Sequence, residues 1–326
     1  MIQPGIVDIE LTNLCNLACD FCLRPSMRRP RGVMDINVFK RVIDELAGFD
    51  FPEWGKVVLA GFGEPTLHPC FVEAAEYAAS RDLPLRIYTN GTRLEGEIRR
   101  ALLHPGIKSL KLSINVHGAE MLARVTRNKA SWQDLVQNVV SLLRERVAGD
   151  AGPEITVQLL YSADLPDRVK EKETPVLDTP QAALVALRFW QARALEIAGE
   201  TGVPSRVKTV EKGDIKSGQS FELFENVKLK LCHYLPYRTH FDPGRNFSSG
   251  LNFANCRRHF KNIVVFWDGS CTPCCTDVSC QMYLGNVIGS SVKAVFNSAS
   301  AVRNREKWSA GQPPSELCRV CLYRGE

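Results

Sequence analysis

The chain has 326 residues, enough for two ordinary domains or one α/β barrel with an appendage, and its 44% hydrophobic and 24% charged residues are typical of a globular protein. No apolar run approaches the roughly 18 residues of a membrane helix, and the start MIQPGIVDIE lacks the basic-then-apolar order of a secretory signal, so a cytoplasmic protein with no membrane partner is expected. The net charge of +5 suits an anionic small molecule or cofactor as well as nucleic acid and decides neither.

In chain order, GIVDIEL (5–11), KVVLA (56–60), LPLRIYT (83–89), SLKLSINV (109–116) and EITVQLL (154–160) have the short apolar runs of buried strands. Between them DINVFKRVIDELAGF, HPCFVEAAEYAASRD, RLEGEIRRALLH and SWQDLVQNVVSLLRERVAG have helical spacing. This alternation is that of βα units around a parallel sheet. A long helix over 179–202 and a strand at SRVKTV (205–210) complete a sixth unit. Residues 161–178 read as a solvated connection and 211–255 as a linker or irregular substrate-facing segment. HFKNIVVFWDGSCTPCC then reads as a hairpin around an Asp-Gly turn, followed by a helix near 291–307. The expected domains are 1–210, 211–255 and 256–326.

Twelve cysteines are the compositional outlier, and in a reducing compartment clustered thiols point to metal ligands or catalysis more than to disulfides. Cys15, Cys19 and Cys22 lie in LTNLCNLACDFCLRP just after the first strand; Cys256, Cys271, Cys274, Cys275, Cys280, Cys318 and Cys321 lie at the other end. Only Cys70 and Cys232 fall between. Three thiolates spaced Cys-x3-Cys-x2-Cys can hold three corners of a cubane and leave one iron open, whereas structural zinc sites close with four ligands. Zinc with a distant fourth ligand is the alternative at this point.

Cys15, Cys19, Phe21 and Cys22 match the Cys-x3-Cys-x-aromatic-Cys fingerprint, and on it the sequence resembles the radical S-adenosylmethionine superfamily. The resemblance implies a three-cysteine [4Fe-4S] cluster whose open iron chelates S-adenosylmethionine, and a partial (β/α)6 TIM-like barrel of the α/β class. Further motifs support it. AGFGEPTLHP is similar to the family's Gly-Gly-Glu-Pro, with Phe62 replacing one glycine, and implies Gly61, Gly63 and Glu64 as contacts of the methionine amino group. YTNG matches Thr-Asn-Gly and implies Thr89 and Asn90 near the ribose. LSINVHG is near Ser-x-Asp, which makes Ser113 and Asn115 cofactor or substrate candidates, with Asn115 departing from the usual acid. Arg124 and Arg127 are candidates for the cofactor carboxylate, and Gln158 for the pocket lining. The glycine-glutamate, Thr-Asn-Gly and Ser-x-Asn motifs stand at carboxyl ends of strands, where barrel enzymes place their chemistry.

In the C-terminal region, Cys256-x12-Gly269-x4-Cys274, then LGNV, then Cys318-x2-Cys321, resembles the SPASM and shortened twitch domains of radical enzymes. It implies a small cysteine-rich domain with one auxiliary [4Fe-4S] cluster on Cys256, Cys274, Cys318 and Cys321. A zinc ribbon is the alternative reading. Cys271, Cys275 and Cys280 remain unassigned, and Cys70 reads as a small buried hydrophobe.

The resemblance implies reductive cleavage of S-adenosylmethionine to a 5′-deoxyadenosyl radical, with a flavodoxin- or ferredoxin-type electron donor. Two outcomes are open: oxidation of a carbinol to a ketone, as in twitch-type aminocyclitol dehydrogenases, or inversion by a thiol hydrogen donor, as in aminoglycoside and peptide epimerases. Cys232 and Cys275 are the donor candidates. No leader-binding segment precedes the first strand, so a small, polar, carbohydrate-like substrate is expected, with a peptide-modifying maturase as the alternative. RPSMRRPRG (24–32) reads as a solvated loop with four arginines that could meet a phosphate. A non-catalytic iron-sulfur carrier or a zinc nucleic-acid module explains the strand-end motifs less well, and no nucleic-acid partner is expected.

Overall fold

The computed structural model describes residues 1–163, 176–234 and 256–319. It divides into two compact units, the first holding Met1–Cys15, Cys22–Leu85 and the C-terminal region, the second Asn16–Phe21 and Arg86–Pro236.

In the first unit β1 (Ile6–Ile9) pairs in parallel with both β2 (Lys56–Leu59) and β8 (Asn262–Val265). Val7, Ile9, Val57, Leu59, Ile263 and Val265 are fully buried, and in β2 and β8 Val58 and Val264 between them are buried too, so these two strands read as continuous apolar runs. β8 turns through Asp268 and Gly269 into antiparallel β9 (Ser270–Thr272), which pairs with β10 (Gly285–Asn286), so the expected hairpin forms. Gly269 sits at φ +77°, a conformation that strains a residue with a side chain. α1 (Ile36–Ala47) buries Phe39, Val42, Ile43 and Leu46 at helical spacing. Its N-cap Asp35 accepts from the amides of Asn37 and Val38 at 2.7 and 3.2 Å. α2 (Phe71–Ala79) packs on α1, with Cys70 half-buried at its N-cap rather than inside the helix.

In the second unit the strand order is β3 (Leu85–Thr89), β4 (Ser109–Asn115), β5 (Glu154–Tyr161), β7 (Val227–His233), β6 (Ser220–Phe224). β3 to β5 and β7 are parallel and β6 is antiparallel to β7. α3 (Gly96–Leu102), α4 (Ala119–Thr126), α5 (Trp132–Ala148) and α6 (Pro180–Thr201) form at the expected helical segments or between them.

Two expectations are corrected. Residues 205–210 form no strand, and the sixth parallel strand is β7, inside the stretch read as irregular. VKLKLCH alternates buried and half-buried residues at period two, so it pairs with β5 on one side and β6 on the other. The helix expected near 291–307 is two helices, α8 (Val292–Phe296) and α9 (Ala299–Ser309). They break where Ser298 leaves helical geometry to cap α9 through the amide of Ala301. Among the described residues no helix is long and apolar enough to cross a membrane.

Candidate functional site

Glu10 follows β1 and the cysteine loop begins five residues later. Its approach is fixed by buried polar groups. Asn13, fully buried, donates to the Pro30 carbonyl at 2.7 Å and accepts from the Gly32 amide at 2.9 Å. Thr12 Oγ1 donates to the Gly32 carbonyl at 2.7 Å and accepts from the Leu14 amide at 3.0 Å. Beyond the loop, Cys22 Sγ accepts from the Arg24 amide at 3.4 Å, and the Arg24 guanidinium reaches the Cys15 carbonyl at 3.5 Å. Cys15, Cys19 and Cys22 are all half-buried.

The Gly61-Phe62-Gly63-Glu64 stretch after β2 closes on the same approach. The Glu64 amide donates to the Leu14 carbonyl at 2.8 Å, and a Cβ at Gly63 would run into the carbonyls of Thr12 and Leu14, so only glycine fits there. Glu64 is 2% exposed; its Oε1 accepts from the Thr66 amide and hydroxyl at 3.2 and 2.8 Å, which caps the 3-10 turn Pro65–Leu67. The Phe62 amide donates to Glu10 Oε2 at 3.1 Å.

Glu10 was not picked out from the sequence. It is fully buried and pairs with Arg29, whose side chain is 6% exposed, through Nη1–Oε1 at 2.9 Å and Nη2–Oε2 at 3.1 Å. Arg29 Nε donates to the Val278 carbonyl at 2.9 Å, and its guanidinium lies 3.6 Å from the Phe266 ring centroid. The Arg28 amide donates to Ser279 Oγ at 3.1 Å and the Trp267 indole to the Pro30 carbonyl at 3.2 Å. The segment read as a solvated arginine loop is therefore a strut between the cysteine loop and the C-terminal hairpin, with Arg29 committed to a buried ion pair.

Within the second unit, Asn90 links the end of β3 to the cysteine loop. Its Nδ2 donates to Asn16 Oδ1 at 3.0 Å, while Asn16 Nδ2 donates to Thr92 Oγ1 at 2.8 Å. Thr89 is buried and accepts from the Gly91 amide at 3.2 Å. Arg127, in left-handed geometry after α4, holds Asp20 of the loop with two nitrogens at 3.1 and 3.0 Å, so it fastens the loop; Arg124 is exposed on α4.

The wall formed by β4, β5 and β7 carries a hydrogen-bonded chain. Cys232 Sγ donates to Gln158 Oε1 at 3.3 Å, and Gln158 Nε2 donates to Asn115 Oδ1 at 2.9 Å. Asn115 sits at φ +67°, where the β4–β5 register shifts after Ser113. Ser113 is half-buried and pairs in register with Gln158. Burial pushes the Cys232 thiol above its ordinary value, partly offset by the charges of Lys111 and Lys230, so it stays a protonated S–H at neutral pH.

In the C-terminal region Cys256 lies two residues before α7 (Arg258–Lys261), and burial pushes its thiol up, with Cys274 close enough to add to the effect. Cys274 Sγ lies 3.0 Å from Thr276 Oγ1. Cys318, on α10 (Glu316–Arg319), has its sulfur 3.5 Å from His259 Nε2 on α7 and accepts from Ser315 Oγ at 3.4 Å. Cys321 lies outside the described residues. The unassigned thiols have other partners. Arg258 Nη1 donates to Cys275 Sγ at 2.6 Å, and burial raises that thiol. Cys271 is fully buried, and Cys280, at φ +55°, donates to the Cys271 carbonyl at 3.6 Å with its thiol pushed up to about 12 by burial. Asp277, also missed in the sequence, is 1% exposed and accepts from Thr272 Oγ1 at 2.7 Å and the Gln281 and Met282 amides at 2.8 Å, which shapes this loop.

Among the described residues no three His, Cys, Asp or Glu side chains close around a single ion. A four-iron cubane spreads its thiolates wider than a mononuclear site does, and an all-thiol donor set suits it. The Cys318 sulfur accepts from Ser315 Oγ and lies against His259 Nε2 and Met282 Sδ, surroundings that would suit a ligating thiolate.

Comparison with known proteins bears on these two regions. The radical SAM superfamily model matches residues 9–149, and the SPASM iron-sulfur cluster-binding domain model matches 256–322. Mycofactocin maturase MftC of Mycobacterium tuberculosis is 32% identical over 154 residues, which is 47% of this chain and 37% of that protein. A tungsten-containing aldehyde ferredoxin oxidoreductase cofactor-modifying protein of Pyrococcus furiosus is 33% identical over 108 residues, 33% of this chain and 30% of that one. The alignments thus span less than half of these curated relatives. In fold, BtrN in complex with AdoMet and 2-DOIA superposes with TM-score 0.52 at 15% identity over 99% of this chain and 96% of that one. Streptococcus suis SuiB bound to precursor peptide SuiA superposes with TM-score 0.59 at 13% identity over 93% and 66%.

The chain has a radical SAM domain at residues 9–149, with an open parallel α/β sheet. It carries a SPASM domain toward its C-terminus, so its cofactors are a [4Fe-4S] cluster with S-adenosylmethionine in the first domain and auxiliary iron-sulfur in the second.

Proposed function

We propose that this chain is a radical enzyme that inverts a carbinol carbon of a small, polar, carbohydrate-like substrate, with Cys232 as the hydrogen donor. In this reading Cys15, Cys19 and Cys22 hold the S-adenosylmethionine-binding cluster, and Cys256, Cys274, Cys318 and Cys321 hold one auxiliary cluster of the twitch type. Gly61, Gly63, Glu64, Thr89, Asn90, Ser113 and Arg124 surround the cofactor, while Arg127 fastens the loop. When bound, the cluster and S-adenosylmethionine supply the 5′-deoxyadenosyl radical that removes one hydrogen atom from the substrate.

The observation that carries the reading is the Cys232 thiol on β7, outside both cysteine sets and held by Gln158, itself held by Asn115. A neutral S–H gives up a hydrogen atom, and burial keeps this one neutral. Donation to the face opposite the abstraction leaves an inverted carbon and a sulfur-centred radical. One electron from a flavodoxin- or ferredoxin-type donor and one proton restore the thiol. Asn115 in place of an acid fits a redox-neutral inversion, which needs no base for the hydroxyl proton. Cys275, engaged by Arg258, is the weaker donor.

With substrate in deuterated water, the inverted carbon gains solvent deuterium. Cys232→Ala forms 5′-deoxyadenosine and no epimer. A ketone without deuterium, formed equally by wild type and Cys232→Ala, contradicts the donor role and supports dehydrogenation. A peptide-modifying maturase is the second reading, favoured by the identity to MftC and by the likeness in fold to SuiB with its precursor peptide. Epimer or crosslink formation in a peptide, with none in carbohydrates, selects it.

A further inference from the structure

His259 is a buried histidine that the reading above leaves without a task. It sits on α7, 3% exposed, with its ring against Trp308 of α9 at 5.0 Å between centroids and 34° between planes. Nε2 faces Cys318 Sγ at 3.5 Å, while Nδ1 is buried with no hydrogen-bond partner among the described residues. A neutral imidazole carries one N–H, and its place follows from what each nitrogen meets. A proton on Nδ1 would be a buried donor with no acceptor, and would leave Nε2 facing sulfur without a hydrogen. A proton on Nε2 points at sulfur and leaves at Nδ1 only a bare lone pair, the cheaper group to bury unpaired.

We propose that His259 is a positioning residue that donates an Nε2–H···S hydrogen bond to the Cys318 thiolate of the auxiliary cluster and raises that cluster's reduction potential. The inference rests on Cys318 as a cluster ligand. Adding an electron makes the thiolates more negative, so a donor aimed at sulfur stabilises the reduced cluster more than the oxidised one. Ser315 Oγ supplies a second donor to the same sulfur at 3.4 Å, so Cys318 has a more electropositive setting than sequence spacing would suggest. Trp308 packs against the ring and holds it in this orientation.

The test uses the full chain carrying Cys15→Ala, Cys19→Ala and Cys22→Ala, reconstituted anaerobically so that only the auxiliary cluster is present, and a reductive titration followed by electron paramagnetic resonance. His259→Phe is expected to keep its iron and to shift the midpoint to a more negative potential; His259→Gln, which restores an N–H, recovers part of the shift. If Phe does not fold, Leu at the same position is read in the same way. An unmoved midpoint with full iron in the variant lacking the N–H overturns the proposal. Loss of the iron from the Gln variant also overturns it, because the ring would then be a ligand or an assembly requirement. Cys318→Ala separates the two levels: a cluster kept intact without Cys318 contradicts the ligand assignment, whereas a cluster lost without Cys318 and unmoved without His259 contradicts the hydrogen bond alone.

Discussion

Cys15, Cys19 and Cys22 share one half-buried loop whose flanks are fastened from outside by side chains such as Asn13, Asn90 and Arg127. Cys256, Cys274 and Cys318 instead come from three separate places in one unit and sit among buried groups such as His259 and Asp277. The first arrangement keeps the thiols together by covalent spacing and fastens the flanks of their loop. The second depends on the tertiary fold to gather its thiols, which are half-buried like those of the loop. Three thiols can leave one position of a four-iron cluster open to a small molecule, whereas a set of four can close it.

The largest effect is expected at the C-terminal site. Cys274→Ala should remove the auxiliary cluster, so that iron falls from about eight to about four per chain while 5′-deoxyadenosine still forms; an unchanged iron count would mean that another thiol, with Cys275 adjacent, replaces it. Next comes the strut between the regions. Arg29→Met strands the buried Glu10 carboxylate and should cost about 3–5 kcal/mol in denaturant unfolding, because both partners are almost wholly buried. A loss below about 1 kcal/mol, the scale of an exposed ion pair, would show that water reaches the pair. Asn13→Ala removes the hydrogen bonds to Met27, Pro30 and Gly32 at the entrance to the loop and should cost about 1–3 kcal/mol and weaken S-adenosylmethionine binding, measured by equilibrium dialysis. The smallest effect belongs to Arg127→Ala: its pair with Asp20 is exposed, so stability should change by less than about 1 kcal/mol. A large drop in S-adenosylmethionine affinity there would show that Arg127 holds the cofactor and not only the loop.

The cysteine loop and the glycine-rich stretches stood out in the sequence because their information is local. Three cysteines within eight residues, and glycine-rich stretches at strand ends, keep their meaning without a fold. Gly63 gains a physical reason once the carbonyls of Thr12 and Leu14 are seen beside it. The five early strands were legible from their apolar residues; β2 and the start of β5 are buried on both faces, whereas β1, β3 and β4 alternate buried and half-buried positions. β7 was missed although VKLKLCH alternates strictly; two lysines among its half-buried positions made an apolar-run search pass over it. The Glu10–Arg29 pair, Asp277 and the His259–Cys318 contact had no local signal. Each joins residues whose meeting only the fold decides, and an arginine-rich loop or a single histidine reads the same whether buried or solvated.

The role of the N-terminal cysteine loop can be tested by one measurement that needs no knowledge of the substrate. Anaerobically reconstituted wild type and the Cys15→Ala, Cys19→Ala, Cys22→Ala variant are given S-adenosylmethionine and a strong reductant, and 5′-deoxyadenosine is quantified beside the iron content. The predicted result is product from the wild type, none from the variant, and about half the iron retained on the auxiliary site. 5′-Deoxyadenosine from the triple variant would contradict the assignment of the cluster to this loop.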